Sequence, residues 1–141
     1  VLRDERRIRS TCSSSQRRYV EARGLPRTRA ELRQHRLIGF DRDLQVRRTA
    51  GGFAATLRRE DFGLRTDSIA AQTALLRAGA GITARQVNRA RREPELVPVL
   101  AADLMFQREI WVVGHPDLRA TRPVGLLFDG LVRGLARYLK S

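Results

Sequence analysis

The stretch "LLRAGAGITARQVNRARREPELVPVLA", residues 75–101, decides the fold. A helical run ends in Gly79-Ala80-Gly81, with Gly79 closing the helix and "AGIT" a short strand. Ala84 to Arg92 reads as an arginine-rich helix stopped before Pro94, and "LVPVL" (96–100) as an apolar strand. Helix, strand, helix, strand in that order is a chain folding βαβ units onto a sheet. Gly79 and Gly81 supply the backbone freedom that the tight helix-to-strand corner needs.

Working back from this corner, Asp67 to Ala78 is helical, and its spacing places Ile69, Thr73 and Leu76 on one inward face. "FGLRT" (62–66) is a strand feeding that helix. "LQVRRT" (44–49) and "FAATLR" (53–58) flank Gly51-Gly52 and read as a hairpin, with "RLIGF" (36–40) as the strand before them. Further upstream, Thr28 and Glu31 have capping-box spacing for a short helix ending near His35. "RRYVEARG" is a helix closed by Gly24, and Ile8 to Cys12 is a short strand.

Downstream, "REIWVVGH" (108–115) is a strand ended by Pro116, with Trp111 expected in the core. Thr121 is expected to cap a final helix with Pro123 in its first turn. Val124, Leu127, Phe128, Leu131, Leu135 and Leu139 form the apolar stripe of that helix. The alternation of strands and helices predicts an α/β fold with a partly parallel sheet.

The chain has 141 residues, 42% hydrophobic and 30% charged, enough for a real core and unlike a disordered segment. Its net charge of +13 comes almost entirely from arginine, since Lys140 is the only lysine among 28 basic residues. So one-sided a choice points to the coding DNA's composition more than to a binding face. Cys12, the one cysteine, excludes an internal disulfide and a cysteine-based zinc site, and fits a reducing compartment. No apolar run approaches a membrane span, and "VLRDERRIRS" is charged where a signal peptide would be apolar.

Chemistry concentrates in few places. The turn Thr66-Asp67-Ser68 joins a strand to a helix, where open α/β sheets hold ligands and free backbone N–H groups favour small anions. The hydroxyls of Thr66 and Ser68 add donors; equally, Asp67 or Ser68 serves as the helix cap. Arg85, Arg89, Arg91 and Arg92 form a basic run with no aromatic among them, which predicts a solvated face rather than a nucleic-acid platform. His35 and His115 lack metal-ligand companions, and no nucleophile elbow, zinc or phosphate-loop motif occurs. Neither catalysis nor a cofactor or metal is expected.

Four segments in order resemble the effector-binding domain of LysR-type bacterial transcriptional regulators. They are "YVEARGLPRTRAELRQHRLIGF", "DSIAAQTALLRAGAGIT", "REPELVPVL" and "REIWVVGHPDLRATRPVGLLFDGLVRGLARYL". Together they reach from about Ile8 to Leu139. The chain differs from the family pattern at Ala80 and in "TARQV", which lacks the family's proline. The resemblance implies a periplasmic-binding-protein-like (type 2) fold. On that reading residues 12–100 form lobe II with a mixed sheet, and residues 101–141 the return strand and helix of an incomplete lobe I.

It further implies a cytoplasmic sensor whose small, anionic effector binds between lobes, with Thr66, Asp67 and Ser68 as its contacts. DNA would be bound through a winged helix-turn-helix outside this stretch, in a homo-dimer or homo-tetramer with no membrane partner. Two other readings stay open on the residues alone: a fragment of a periplasmic solute-binding protein, and a small arginine-rich nucleic-acid-binding domain.

Overall fold

The structure, a computed structural model, describes residues 2–42, 56–102, 104 and 106–140. The expected hairpin around Gly51-Gly52 lies outside the described residues for most of its length, and Arg59–Asp61 form a single 3-10 turn after it. In chain order the elements are β1 (Leu2–Gln16), α1 (Arg17–Arg23), α2 (Arg29–Leu32), β2 (Ile38–Gly39), β3 (Leu64–Arg65), α3 (Ile69–Arg77) and β4 (Ile82–Gln86). There follow α4 (Val87–Ala90), β5 (Leu96–Pro98), β6 (Phe106–Gly114), α5 (Pro116–Ala120) and α6 (Arg122–Lys140). They divide into two compact units, residues 9–106 and residues 1–8 with 107–141.

In the first of these units β1 is the central strand. It pairs antiparallel with β4, setting Cys12 opposite Arg85 and Ser14 opposite Thr83, and antiparallel with β5, setting Ser15 opposite Val97. β2 and β3 are parallel, and the bridge Leu37–Ile82 is also parallel, so the sheet is mixed. Because side chains alternate along a strand, one face of the β1–β4 pair carries Ser15 and Ile82, and the other Cys12, Ser14, Thr83 and Arg85. Ile82 joins Tyr19, Leu32, Leu37, Leu57, Val99 and Leu104 in the buried cluster.

The helix ends form for the reasons the sequence supplies. Gly24 takes φ +83° after α1, its N–H donating to the Val20 carbonyl at 2.8 Å. Thr28 Oγ1 accepts the Glu31 N–H, while the Glu31 carboxylate accepts the N–H of Arg27. The reciprocal bond thus falls one residue earlier than in a standard capping box. Gly79 closes α3 at φ +67°, and a Cβ on Gly81 would collide with the Arg36 carbonyl oxygen. Both glycines of the corner are therefore structural.

Several expectations are corrected. The inward face of α3 is Gln72 and Leu76, at 5% and 0% exposure, while Ile69 is 63% exposed. The helix is rotated because the Gln72 amide is drawn in to donate to the Thr66 carbonyl at 2.8 Å. β4 runs through to Gln86, so the expected helix shrinks to Val87–Ala90 and Arg85 becomes a strand residue. Pairing with β1 across five residues overrides the local helix preference there.

In the other unit β6 pairs with β1. Trp111 stands 42% exposed on β6 rather than in a core. Thr121 directly precedes α6, its carbonyl accepting the Gly125 N–H at 2.9 Å while its hydroxyl donates to the Leu118 carbonyl at 2.7 Å. α6 is tied to α5 by Arg119, whose guanidinium pairs with Asp129 at 2.9 Å and lies 4.2 Å from the Phe128 ring centre. Phe128 is buried, whereas Leu126, Leu127 and Leu131 stay exposed.

The corrected face of α3 sets a stability test. Leu76→Ala should cost about 2–5 kcal/mol in urea denaturation. Ile69→Ala should stay within about 0.5 kcal/mol; equal losses would restore the face expected from sequence.

Candidate functional site

Thr66, Asp67 and Ser68 lie together where β3 hands over to α3, and each is held by local bonds. The Thr66 N–H donates to the Gly39 carbonyl at 3.0 Å, which fixes the turn beside β2. Thr66 Oγ1 accepts the Ser68 N–H at 3.2 Å, and Ser68 Oγ accepts the Ala71 N–H at 3.2 Å, making Ser68 the helix cap. Both hydroxyls act as acceptors in these bonds, which leaves their hydrogens able to donate to a ligand.

Asp67 faces another way. Its Oδ1 accepts the N–H groups of Asp41 and Arg42 at 2.9 and 3.0 Å, so its charge pins the loop after β2. Asp41 in turn receives Arg59 Nη2 at 2.6 Å and lies 3.4 Å from Arg65 Nε. The turn is therefore backed by linked contacts, with Arg59 and Arg65 on the Asp41 carboxylate and the Asp41 N–H on that of Asp67, little of which the sequence spacing discloses. An anion at the Thr66 and Ser68 hydroxyls would meet Asp67 as a neighbour already engaged with two amide donors.

A second feature of the same unit is a groove of about 770 Å³ bounded by Arg18, Tyr19, His35, Arg36, Glu60 and Asp61 among others. That volume falls in the range of small-molecule sites. Tyr19 Oη stands 3.3 Å from His35 Nδ1 and accepts the Arg36 N–H at 3.0 Å. His35 thus meets a phenol in the turn after α2, three residues past the helix it was expected to end, and its wall of the groove is fixed. His115 is the cap of α5, its Nδ1 accepting the Asp117 N–H at 3.3 Å.

The basic run divides in two. Arg85 is 7% exposed and points its Nη1 at Thr73 Oγ1, 2.6 Å away on α3. Glu93, by contrast, is gripped by Arg77, whose Nε and Nη2 donate to its two oxygens at 2.8 and 3.0 Å. Those bonds are the main reason its carboxyl titrates below the ordinary 4.5; partial burial opposes them, and the charges of Arg77, Arg85 and Arg89 assist. Burial is the largest influence on Arg85 and lowers its pKa from the usual arginine value. Period-two alternation from Thr83 would have brought Arg85 to light had the strand been extended past Ala84. Among the described residues, no three His, Cys, Asp or Glu side chains gather as a metal site, and no helix is long and apolar enough to cross a membrane.

Since Glu93 is held below its unfolded value, its stabilising contribution is complete above about 4.5 and is lost as pH falls through the lower folded value. Glu93→Gln should flatten the acid limb of a melting-temperature profile, and an unaltered limb would show that the Arg77 grip is energetically idle.

No family model matches the sequence, and comparison with curated proteins finds no match. Solved structures do match in fold. The regulatory domain of CrgA, a LysR-type transcriptional regulator from Neisseria meningitidis, is 20% identical with a TM-score of 0.75, over 94% of this chain and 69% of that one. A longer CrgA structure matches with a TM-score of 0.74, and this chain spans 48% of its length. The regulatory domain of AphB from Vibrio vulnificus is 15% identical with a TM-score of 0.68, over 94% of this chain and 68% of that one. The chain has the periplasmic-binding-protein-like fold of the regulatory domains of LysR-type transcriptional regulators.

Proposed function

We propose that this chain is the ligand-sensing part of a LysR-type transcriptional regulator, with residues 12–100 as one lobe and 101–141 as the return segment of another. The supporting observation is the fold likeness to the CrgA regulatory domain across 94% of the chain. A small anionic effector is met by the turn at Thr66, Asp67 and Ser68, where each hydroxyl accepts an amide and keeps a hydrogen to donate. The effector acts by favouring one arrangement of the protein, which requires different affinities for the two states. DNA is bound by a winged helix-turn-helix elsewhere in the longer protein, which works in the cytoplasm as a homo-dimer or homo-tetramer.

The nucleic-acid reading loses one of its arginines, because Arg85 is buried and is not part of a surface that a nucleic-acid backbone could lie along. Steeply salt-dependent binding of this chain alone to DNA would support that reading, and no binding at low salt would end it. The solute-binding reading separates at the gene. The DNA upstream of the codon for Val1 should continue as an open frame encoding a helix-turn-helix, and a signal peptide there would overturn the regulator reading.

In the intact protein, Thr66→Ala should weaken effector binding by about 1 kcal/mol with the fold retained. An unchanged affinity would remove the turn as the site. Light scattering on the 141-residue chain should show a dimer or larger species, since Leu126, Leu127 and Leu131 are exposed together on α6. A stable monomer would contradict that.

A further inference from the structure

We propose that Arg85 is an anion-binding residue, whose Nε–Nη2 edge takes the carboxylate of a small molecule at a site separate from the Thr66 turn. Three observations carry this. Arg85 is 7% exposed, and among the described residues no hydrogen-bond acceptor reaches its Nε or Nη2. Those two nitrogens are one edge of the guanidinium, the fork that matches a carboxylate with two parallel bonds. The same edge of Arg77 does this within the protein, holding both oxygens of Glu93.

Among the described residues, several arginines share one acid here. Glu93 is the acid that faces Arg85, but its oxygens are committed to Arg77, and Arg85 Nη2 lies 3.9 Å from Glu93 Oε1, beyond hydrogen-bonding range. Arg77, Arg85 and Arg89 all act on that one carboxylate. A buried guanidinium is costly unless paired and fully hydrogen-bonded, and a water molecule at the fork would supply an acceptor but no charge. The surroundings also suit a polar ligand: Cys12 stands opposite Arg85 and Ser14 opposite Thr83 on the same sheet face, and Thr73 fixes the guanidinium through Nη1. An apolar strand position facing α3 would need none of this.

The inference goes beyond the regulator reading and does not rest on it. A fork that binds carboxylates does so whether or not the chain senses an effector at the turn, so either can fail alone. The test is a titration of the full chain, labelled with ¹⁵N-arginine, using sodium acetate against sodium chloride at matched ionic strength. The Arg85 Nε–H resonance, assigned by its disappearance in Arg85→Lys, should shift saturably with acetate and not with chloride.

In the same buffers acetate should raise the melting temperature of the wild type, with the apparent affinity falling about tenfold in Arg85→Lys, which keeps the charge but loses the fork. Arg85→Leu should not respond to acetate; if that variant does not fold, the wild-type and Arg85→Lys titrations decide. In Thr66→Ala the Arg85 Nε–H resonance should still shift with acetate. An Arg85 resonance unmoved by acetate would overturn the proposal, as would a response abolished by Thr66→Ala. A saturable shift with inorganic phosphate alone would overturn the carboxylate class in favour of a phosphate ester.

Discussion

The approach of Gly81 to the Arg36 carbonyl is the constraint on which the rest of the 9–106 unit depends. No side chain stands between them, and the Ile82 N–H reaches the Arg36 oxygen at 2.9 Å. That bond sets the Leu37–Ile82 bridge, and through it joins β2 and β3 to β4 and β1. Ser15 adds a second clamp on the same residue, its hydroxyl donating to the Gly81 carbonyl at 3.1 Å. With the corner fixed, α3 must lie across one face of the sheet, and the Tyr19–Leu32–Leu37–Ile82 cluster must fill the other. Packing at such a point has no slack, since interiors are close to crystalline density.

What could be read from residues alone follows the same division. Glycines at positive φ, proline stops and the Thr28–Glu31 pair act over three or four residues, and their signals are local. The βαβ order was legible for that reason, as was the place of the Thr66 turn between strand and helix. The face of α3 was not. Ile69 outranks Gln72 on any hydropathy scale, yet Gln72 is the one drawn inside, because the Thr66 carbonyl needs a donor there. Arg85 was hidden by the reverse conflict: its helical neighbours suggested a solvated face, while a partner strand more than seventy residues away held it extended. Tertiary pairing decides such cases, and spacing within one segment does not carry it.

The electrostatics are organised by sharing few acids among many arginines. Asp41 serves Arg59 and Arg65, Glu93 serves Arg77 and partly Arg85, and Asp129 serves Arg119. Most of these pairs are exposed and contribute little each to stability. Their effect is on position: Asp41 and Asp67 together hold the loop beyond β2 against the turn, and Arg119 holds α5 on α6. The buried exception is Arg85, which among the described residues shares the Glu93 carboxylate with Arg77 at the longer distance of 3.9 Å.

One consequence lies in the kinetics of the sheet. Cys12 sits within the β1–β4 pairing, 6% exposed, with its sulfur 3.8 Å from the Ser14 hydroxyl. A thiol in that place is shielded from solvent reagents while the two strands stay paired, and becomes reactive only during moments of opening. The chain therefore carries its own clock for local unfolding: the rate at which Cys12 is alkylated counts how often β1 and β4 part, at the one pair of residues that also holds Arg85.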